Sequence, residues 1–172
     1  MSAKRVLVIG GAASGKSAFA ENIIVQSGLA RTYIATARIW DAEMNQKVAE
    51  HQKMRGAGWT TVEEPLDPAK PLATLNSEQA VLLDCATMWL TNHLMDDGDL
   101  AAAEDRLMDA FRCCRAYCVV VSNEVGGGIV PADALSRRFR QAQGRLNQRL
   151  ATQADTVVQV VAGLPNVLKG SL

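Results

Sequence analysis

Four short apolar runs rich in β-branched residues recur along the chain: "RVLVIG" from Arg5, "TYIATA" from Thr32, "AVLLDC" from Ala80 and "CVVVSN" from Cys118, with "TVVQVVAG" from Thr156 as a fifth. Their apolar character is nearly continuous rather than alternating, as strands buried on both faces require. Between them the period changes to that of a helix, over Lys16 to Ser27, Asp41 to Arg55, Thr87 to Leu94, Leu100 to Arg115 and Ala132 to Gln153. In the fourth of these segments Leu100, Ala103, Leu107, Ala110, Phe111 and Cys114 fall on one stripe, the pattern of a helix laid on a sheet. The alternation predicts an α/β fold, a mostly parallel sheet flanked by helices. Pro65, Pro68 and Pro71 in "EEPLDPAKPL" are expected to break regular structure, as an excursion rather than a domain boundary. The tail "LPNVLKGSL" is expected to fray.

The chain has 172 residues, which suits one domain over 1–172. Eighteen basic and eighteen acidic residues balance to a formal charge of zero and are interspersed. No basic stripe or polybasic anchor is present, so small molecules and protein are the expected partners, with no nucleic acid and no stable membrane insertion. Only Lys4 and Arg5 precede a short apolar run that stops at glycine, so a cytoplasmic protein is expected. Cys85, Cys113, Cys114 and Cys118 lack paired metal spacing and read as buried free thiols.

Where the first run ends, "GGAASGKS" over Gly10, Gly11, Ala12, Ala13, Ser14, Gly15, Lys16 and Ser17 fits G-x-x-x-x-G-K-[ST] between a strand and a helix. Glycines there let the backbone turn and aim N–H groups at phosphate oxygens, with the positive end of the helix dipole behind them. Lys16 would reach the terminal phosphates, and Ser17 would offer a hydroxyl to Mg2+. Asp84 closes a buried apolar strand, where a P-loop protein keeps its magnesium-orienting carboxylate; an ordinary helix cap is the alternative. At a third strand end, "SNEVGGGIVP" carries Asn123, Glu124 and Gly126 to Gly128. Ligands of open α/β sheets bind beyond the carboxyl ends of strands, so this loop either faces substrate or is plain loop punctuation. His51 shares a helical face with Met44 and Val48, and on spacing alone it reads first as a core residue.

Taken in order, "GGAASGKS", "YIATA", "DAEM", "EHQKMRGAGWTTVEEP", "LLDC", "SNEVGGGIVP" and "FRQAQGRLNQRLA" resemble the bifunctional adenosylcobinamide kinase/adenosylcobinamide-phosphate guanylyltransferases of cobalamin synthesis, over nearly the whole chain. The resemblance implies a RecA-like P-loop sheet and two reactions on one corrinoid side arm. Adenosylcobinamide is phosphorylated by GTP or ATP, and GTP then donates GMP to that phosphate with release of pyrophosphate. It implies that His51 takes GMP covalently. It implies nucleotide contacts by Thr36, Ala37 and Arg38 and by Gln52, Lys53, Met54 and Arg55, with Glu63 and Asp84 also in the site. It implies a homo-oligomer, with trimers among the family's assemblies. The chain departs from the family pattern at three places: Ala13 stands where an arginine is usual, "MRG" at Met54 to Gly56 stands where an arginine-proline run is usual, and Gln141 stands where an acid is expected. Two cationic groups near a triphosphate are therefore missing, each worth about 1.5 to 3 kcal/mol as a charge-assisted hydrogen bond. No Asn-Lys-x-Asp signature for guanine is present, so the preference for GTP comes from the resemblance. A simple P-loop kinase with a structural His51, and a nucleotide-binding switch without catalysis, are the competing functions.

Overall fold

The computed structural model describes residues 4–38, 56–96 and 98–172. Seven strands form one sheet: β1 Arg5–Gly10, β2 Ala30–Ala35, β3 Trp59–Glu63, β4 Gln79–Asp84, β5 Tyr117–Asn123, β6 Thr156–Val161 and β7 Leu164–Lys169. Their spatial order is β3-β2-β4-β5-β1-β6-β7, parallel throughout except for the antiparallel β6–β7 pair. Among the described residues the helices are α1 Lys16–Gln26, α2 Ala69–Thr74, α3 Ala86–Met95, α4 Leu100–Cys113 and α5 Ala134–Gln153. The expected helix over Asp41 to Arg55 lies outside the described residues.

The interior strands are apolar on both faces because each face meets helices. Leu7, Ile34, Val81, Leu83 and Val120 point into one core, shared with Leu72, Trp89, Leu107, Phe111 and Leu146 of α2 to α5. Their neighbours Val6, Val8, Tyr33, Leu82, Val119 and Val121 point into the other, shared with Ala20 and Ile24 of α1. The predicted stripe on α4 holds: Ala103, Leu107, Phe111 and Cys114 are buried, with Leu100 and Ala110 packed at its margin.

Several expectations are corrected. The tail does not fray. Leu164–Lys169 pairs with β6, and Lys4 Nζ and Thr156 Oγ1 both donate to the Ser171 carbonyl, at 2.9 and 2.7 Å. Lys169 Nζ donates to the last-turn carbonyls of Ala151 and Thr152 of α5. The proline-rich excursion holds α2, with Pro68 at its N-cap and Pro71 in its first turn. There a missing N–H costs no intrahelical bond. Trp59–Glu63 is an edge strand. Cys114 and Cys118 are buried free thiols, whereas Cys85 is half-buried and Cys113 is exposed.

Candidate functional site

The carboxyl ends of β1, β4 and β5 lie side by side, with Gly10 in register with Asn123 and Asp84 with Val121. This edge of the sheet carries the P-loop, and its local geometry follows from the residues there. Gly10 is hemmed in: a Cβ on it would lie 2.4 Å from Ser14 Oγ and 2.6 Å from the Val160 carbonyl oxygen. Gly15 has φ of 89° and forms the N-cap of α1. A Cβ there would come within 3.1 Å of Gly163 Cα. Gly11 is different, with nothing within 4 Å of the corresponding position.

The β6–β7 turn buttresses the loop from outside the motif. Ala162 and Gly163 both have positive φ, 51° and 78°, as a tight hairpin turn of this hand demands. The Gly163 N–H donates to the Ser14 carbonyl at 2.8 Å. Ala13 also adopts a positive φ, 54°.

Aspartate or cysteine side chains cap α3, α4 and α5, but no side chain caps α1. Its first-turn N–H groups therefore have no capping side chain, the condition for an anion site at a helix N-terminus. Ser14 Oγ is buried and has no hydrogen-bond partner. An orphaned hydroxyl in a glycine-lined cradle fits a ligand rich in acceptor oxygens. Lys16 Nζ folds back onto the Gly11 carbonyl at 3.1 Å, a contact that a phosphate can replace.

Asp84 is not the helix cap. Cys85 is the N-cap of α3, its Sγ accepting from the Met88 N–H at 3.4 Å. Burial and the adjacent Asp84 carboxylate push the Cys85 thiol up to about 12, so it stays protonated at neutral pH. Asp84 Oδ2 accepts a hydrogen bond from the Tyr33 hydroxyl at 3.1 Å. A carboxylate and the Ser17 hydroxyl at the mouth of a phosphate cradle are a donor set that fits Mg2+. That ion is usually bound by one or two carboxylates with waters and substrate phosphates. No cluster of three or more His, Cys, Asp or Glu ligands occurs among the described residues.

Helix α3 knits the neighbouring strand ends together. Its Asn92, fully buried, donates from Nδ2 to the carbonyls of Thr36 at 2.8 Å and Pro65 at 2.9 Å, joining the exits of β2 and β3. Trp89 Nε1 and His93 Nε2 both lie 2.9 Å from the Leu66 carbonyl, which keeps His93 in the core. Thr87 Oγ1 accepts from the Asn123 N–H at 2.8 Å. Sequence reasoning missed these residues; the one signal for them was a polar Thr, Asn and His set within the apolar segment "ATMWLTNHLM".

The other expected site residues are placed as follows. The Thr36 hydroxyl donates to the Cys85 carbonyl at 2.7 Å and accepts from its N–H at 2.8 Å, so it ties β2 to β4. Arg38 pairs with Asp96 through two hydrogen bonds of 2.8 and 2.7 Å, which raise the guanidinium pKa and lower that of the carboxyl. Ala37 is half-buried beside it, and Glu63 is exposed at the end of β3. His51, Gln52, Lys53, Met54 and Arg55 lie outside the described residues. Gln141 is exposed on α5.

Residues 6–168 match the family described as cobinamide kinase / cobinamide phosphate guanyltransferase. The "Bifunctional adenosylcobalamin biosynthesis protein CobP" of Pseudomonas aeruginosa is 45% identical over 172 residues, covering 96% of this chain and 98% of the relative. The "Bifunctional adenosylcobalamin biosynthesis protein CobU" of Escherichia coli strain K12 is 42% identical over 176 residues, covering 92% and 96%. Among solved structures, the flagellar accessory protein FlaH of Methanocaldococcus jannaschii superposes with a TM-score of 0.54 at 10% identity, over 99% of this chain and 80% of that one. The RadB recombinase does so with a TM-score of 0.52 at 16% identity, over 92% and 74%. At such identities the likeness concerns the fold alone, a RecA-like P-loop sheet.

Proposed function

Because the chain belongs to the cobinamide kinase / cobinamide phosphate guanyltransferase family, we infer that it is a bifunctional enzyme of cobalamin biosynthesis. It phosphorylates adenosylcobinamide and then transfers GMP from GTP to the product, giving adenosylcobinamide-GDP and pyrophosphate. The observation that carries this is the phosphate cradle itself: an uncapped helix α1, the orphaned Ser14 hydroxyl and Lys16, set beside Asp84 at the carboxyl edge of the sheet.

In the kinase step the substrate hydroxyl oxygen attacks the γ-phosphorus, and the bond to the β–γ bridging oxygen breaks as the hydroxyl proton is lost. Lys16 and the backbone N–H groups of the loop offset the negative charge on the transferred group. Ser17 would hold and Asp84 would orient Mg2+, which when bound would neutralise phosphate charge. In the guanylyl step we assign the nucleophile to His51. A neutral imidazole nitrogen attacks the α-phosphorus, pyrophosphate leaves, and a phosphate oxygen of the corrinoid then displaces the imidazole. The support is the His51 match to the family segment, together with the other histidine, His93, being engaged in the core. The Cys85 thiol is also held protonated. Imidazole suits the task because it is substantially neutral near pH 7, and a covalent intermediate splits one hard displacement into two easier ones.

Thr36 to Arg38, Gln52 to Arg55 and Glu63 are assigned to the nucleotide's surroundings on the family resemblance, as are a homo-oligomeric, trimeric assembly and a cytoplasmic location. Among the described residues no helix is long and apolar enough to cross a membrane.

The test is incubation with α-labelled GTP and Mg2+, followed by denaturation. Label that survives alkali and is lost in mild acid is expected, as for a phosphoramidate. His51→Ala is expected to abolish both the label and guanylyl transfer while sparing phosphorylation. Full labelling of folded His51→Ala protein would refute the assignment; γ-transfer without any α-label would identify a simple kinase.

A further inference from the structure

The loop that leaves β5 starts beside the P-loop: the Glu124 N–H donates to the Gly10 carbonyl at 3.0 Å. After Val125, three residues in a row carry no side chain. Gly126 to Gly128 have no positive φ that would demand glycine, and a Cβ on Gly128 would meet nothing within 4 Å. Ile129 and Val130 follow, 96% and 68% exposed. Arg140 of α5 donates to the carbonyls of Gly126, Gly128 and Ile129, so a glycine run held by its carbonyls and followed by two exposed aliphatic side chains suits a large, partly apolar acceptor rather than a phosphate chain.

Asn123, the last residue of β5 and the one from which this loop departs, is gripped through both of its backbone polar groups. The Asn123 N–H is taken by Thr87 Oγ1 of α3 at 2.8 Å, and the Asn123 carbonyl accepts from Asn147 Nδ2 of α5 at 3.0 Å. Behind Asn147 stands a buried relay that fixes its amide. Ser122 Oγ donates to Asn147 Oδ1 at 2.6 Å, and Gln143 Nε2 donates to Ser122 Oγ at 2.8 Å and to Asn147 Oδ1 at 3.0 Å. Ser122 and Gln143 are fully buried. Such polar groups are kept inside a core at a desolvation cost, and here every bond converges on one backbone position at the edge of the site.

We propose that Thr87 and Asn147 are positioning residues which set the loop from Glu124 to Pro131 against the phosphate cradle, so that it presents the corrinoid acceptor to the reacting phosphorus. This rests on the function inferred above. The P-loop does not depend on either residue for its shape, since it is held by Ser14 N–H to the Gly11 carbonyl and Gly163 N–H to the Ser14 carbonyl. The two residues therefore govern the acceptor more than the nucleotide.

The experiment compares Thr87→Val, which keeps shape and loses the acceptor oxygen, with Thr87→Ser, which keeps it. Thr87→Val is expected to raise the KM for adenosylcobinamide phosphate about tenfold, the scale of one unsatisfied buried N–H. Its affinity for a non-transferable GTP analogue should change less, and Thr87→Ser should restore the acceptor KM. Asn147→Ser releases the carbonyl of the same residue, Asn123, and carries the same expectation, so it decides the matter if Thr87→Val does not fold. Hydrogen exchange over residues 124–131 should rise in both variants while that of the P-loop is retained. An unchanged acceptor KM in a folded variant, or an equal loss of nucleotide and acceptor affinity, would overturn the proposal. A wild-type protein inert toward the corrinoid would instead defeat the inferred function, and the exchange measurement would still judge the loop's dependence on Thr87 and Asn147.

Discussion

Gly10 and Gly11 stand side by side in the phosphate cradle yet lack side chains for different physical reasons. At Gly10 a methyl group would strike Ser14 Oγ and the Val160 carbonyl; at Gly11 it would meet no atom within 4 Å among the described residues. Gly10→Ala is accordingly expected to destabilise the fold by about 1 to 3 kcal/mol, as overpacking does. Gly11→Ala should stay within about 0.5 kcal/mol of wild type, as an unencumbered surface change does. Urea denaturation of the two variants checks the difference. A nucleotide titration should then show Gly11→Ala weakened in binding despite its intact fold, because that space is the proposed seat of a phosphate. Equal stability of the two variants would mean that the cradle can shift to admit a methyl group.

At the scale of elements, the β6–β7 hairpin belongs to the site as much as the P-loop does. β7 is exposed along its whole length. Even so, it covers the edge of β6, whose Val158 and Val160 are fully buried, and its turn supplies the N–H that Ser14 accepts. Ending the chain after Val161 is expected to lower stability by at least ~2 kcal/mol, the scale of re-exposing one large aliphatic side chain. It should also weaken nucleotide binding, since the Ser14 carbonyl loses its partner. Calorimetric melting and nucleotide titration of the truncated protein test both parts. Unchanged melting would make the tail an appendage after all. Helix α3 has the complementary role, its Thr87 and Asn92 holding the exits of β5, β2 and β3.

Across the whole molecule, the edge opposite the site is closed by charge. Arg5 donates through Nε and Nη2 to Asp155 at 3.1 and 3.0 Å and through Nη1 to the Arg112 carbonyl, joining the start of β1 to the end of α4 and the entry of β6. Hydrogen bonding to Arg5 holds the Asp155 carboxyl below its ordinary pKa. A carboxyl so lowered contributes stability that is fully present above its unfolded value and is lost as pH falls through its folded value, because the unfolded chain binds more protons between the two. Asp155→Asn should therefore flatten the acid side of the stability profile. With the two side chains 25% and 42% exposed, the effect is expected to be about 1 kcal/mol or less. Guanylyl transfer at neutral pH should be retained. Unfolding midpoints measured from pH 7 down to pH 3 test this, and parallel profiles for wild type and variant would count against it.

How much was legible follows from what each residue buries. The five central strands announced themselves because both of their faces are covered, so nearly every residue is apolar. The α4 stripe showed at helical spacing for the same reason, and the P-loop was readable because its glycines, lysine and serine are neighbours in the chain. The two edge strands, β3 and β7, were not legible. Trp59–Glu63 and Leu164–Lys169 bury little, and what makes them strands is hydrogen bonding to β2 and β6, which leaves no apolar pattern behind. The same holds within the site. The roles proposed for Lys16 and Ser17 come from local sequence, but the release of Asp84 from capping duty depends on where the Cys85 sulfur sits. The grip on Asn123 joins residues 36 and 24 positions apart. By itself the sequence determined which local segments can fold and which chemistry they carry. Only the tertiary structure decided which strand ends meet at the phosphate cradle, because those contacts depend on non-local packing and hydrogen bonding.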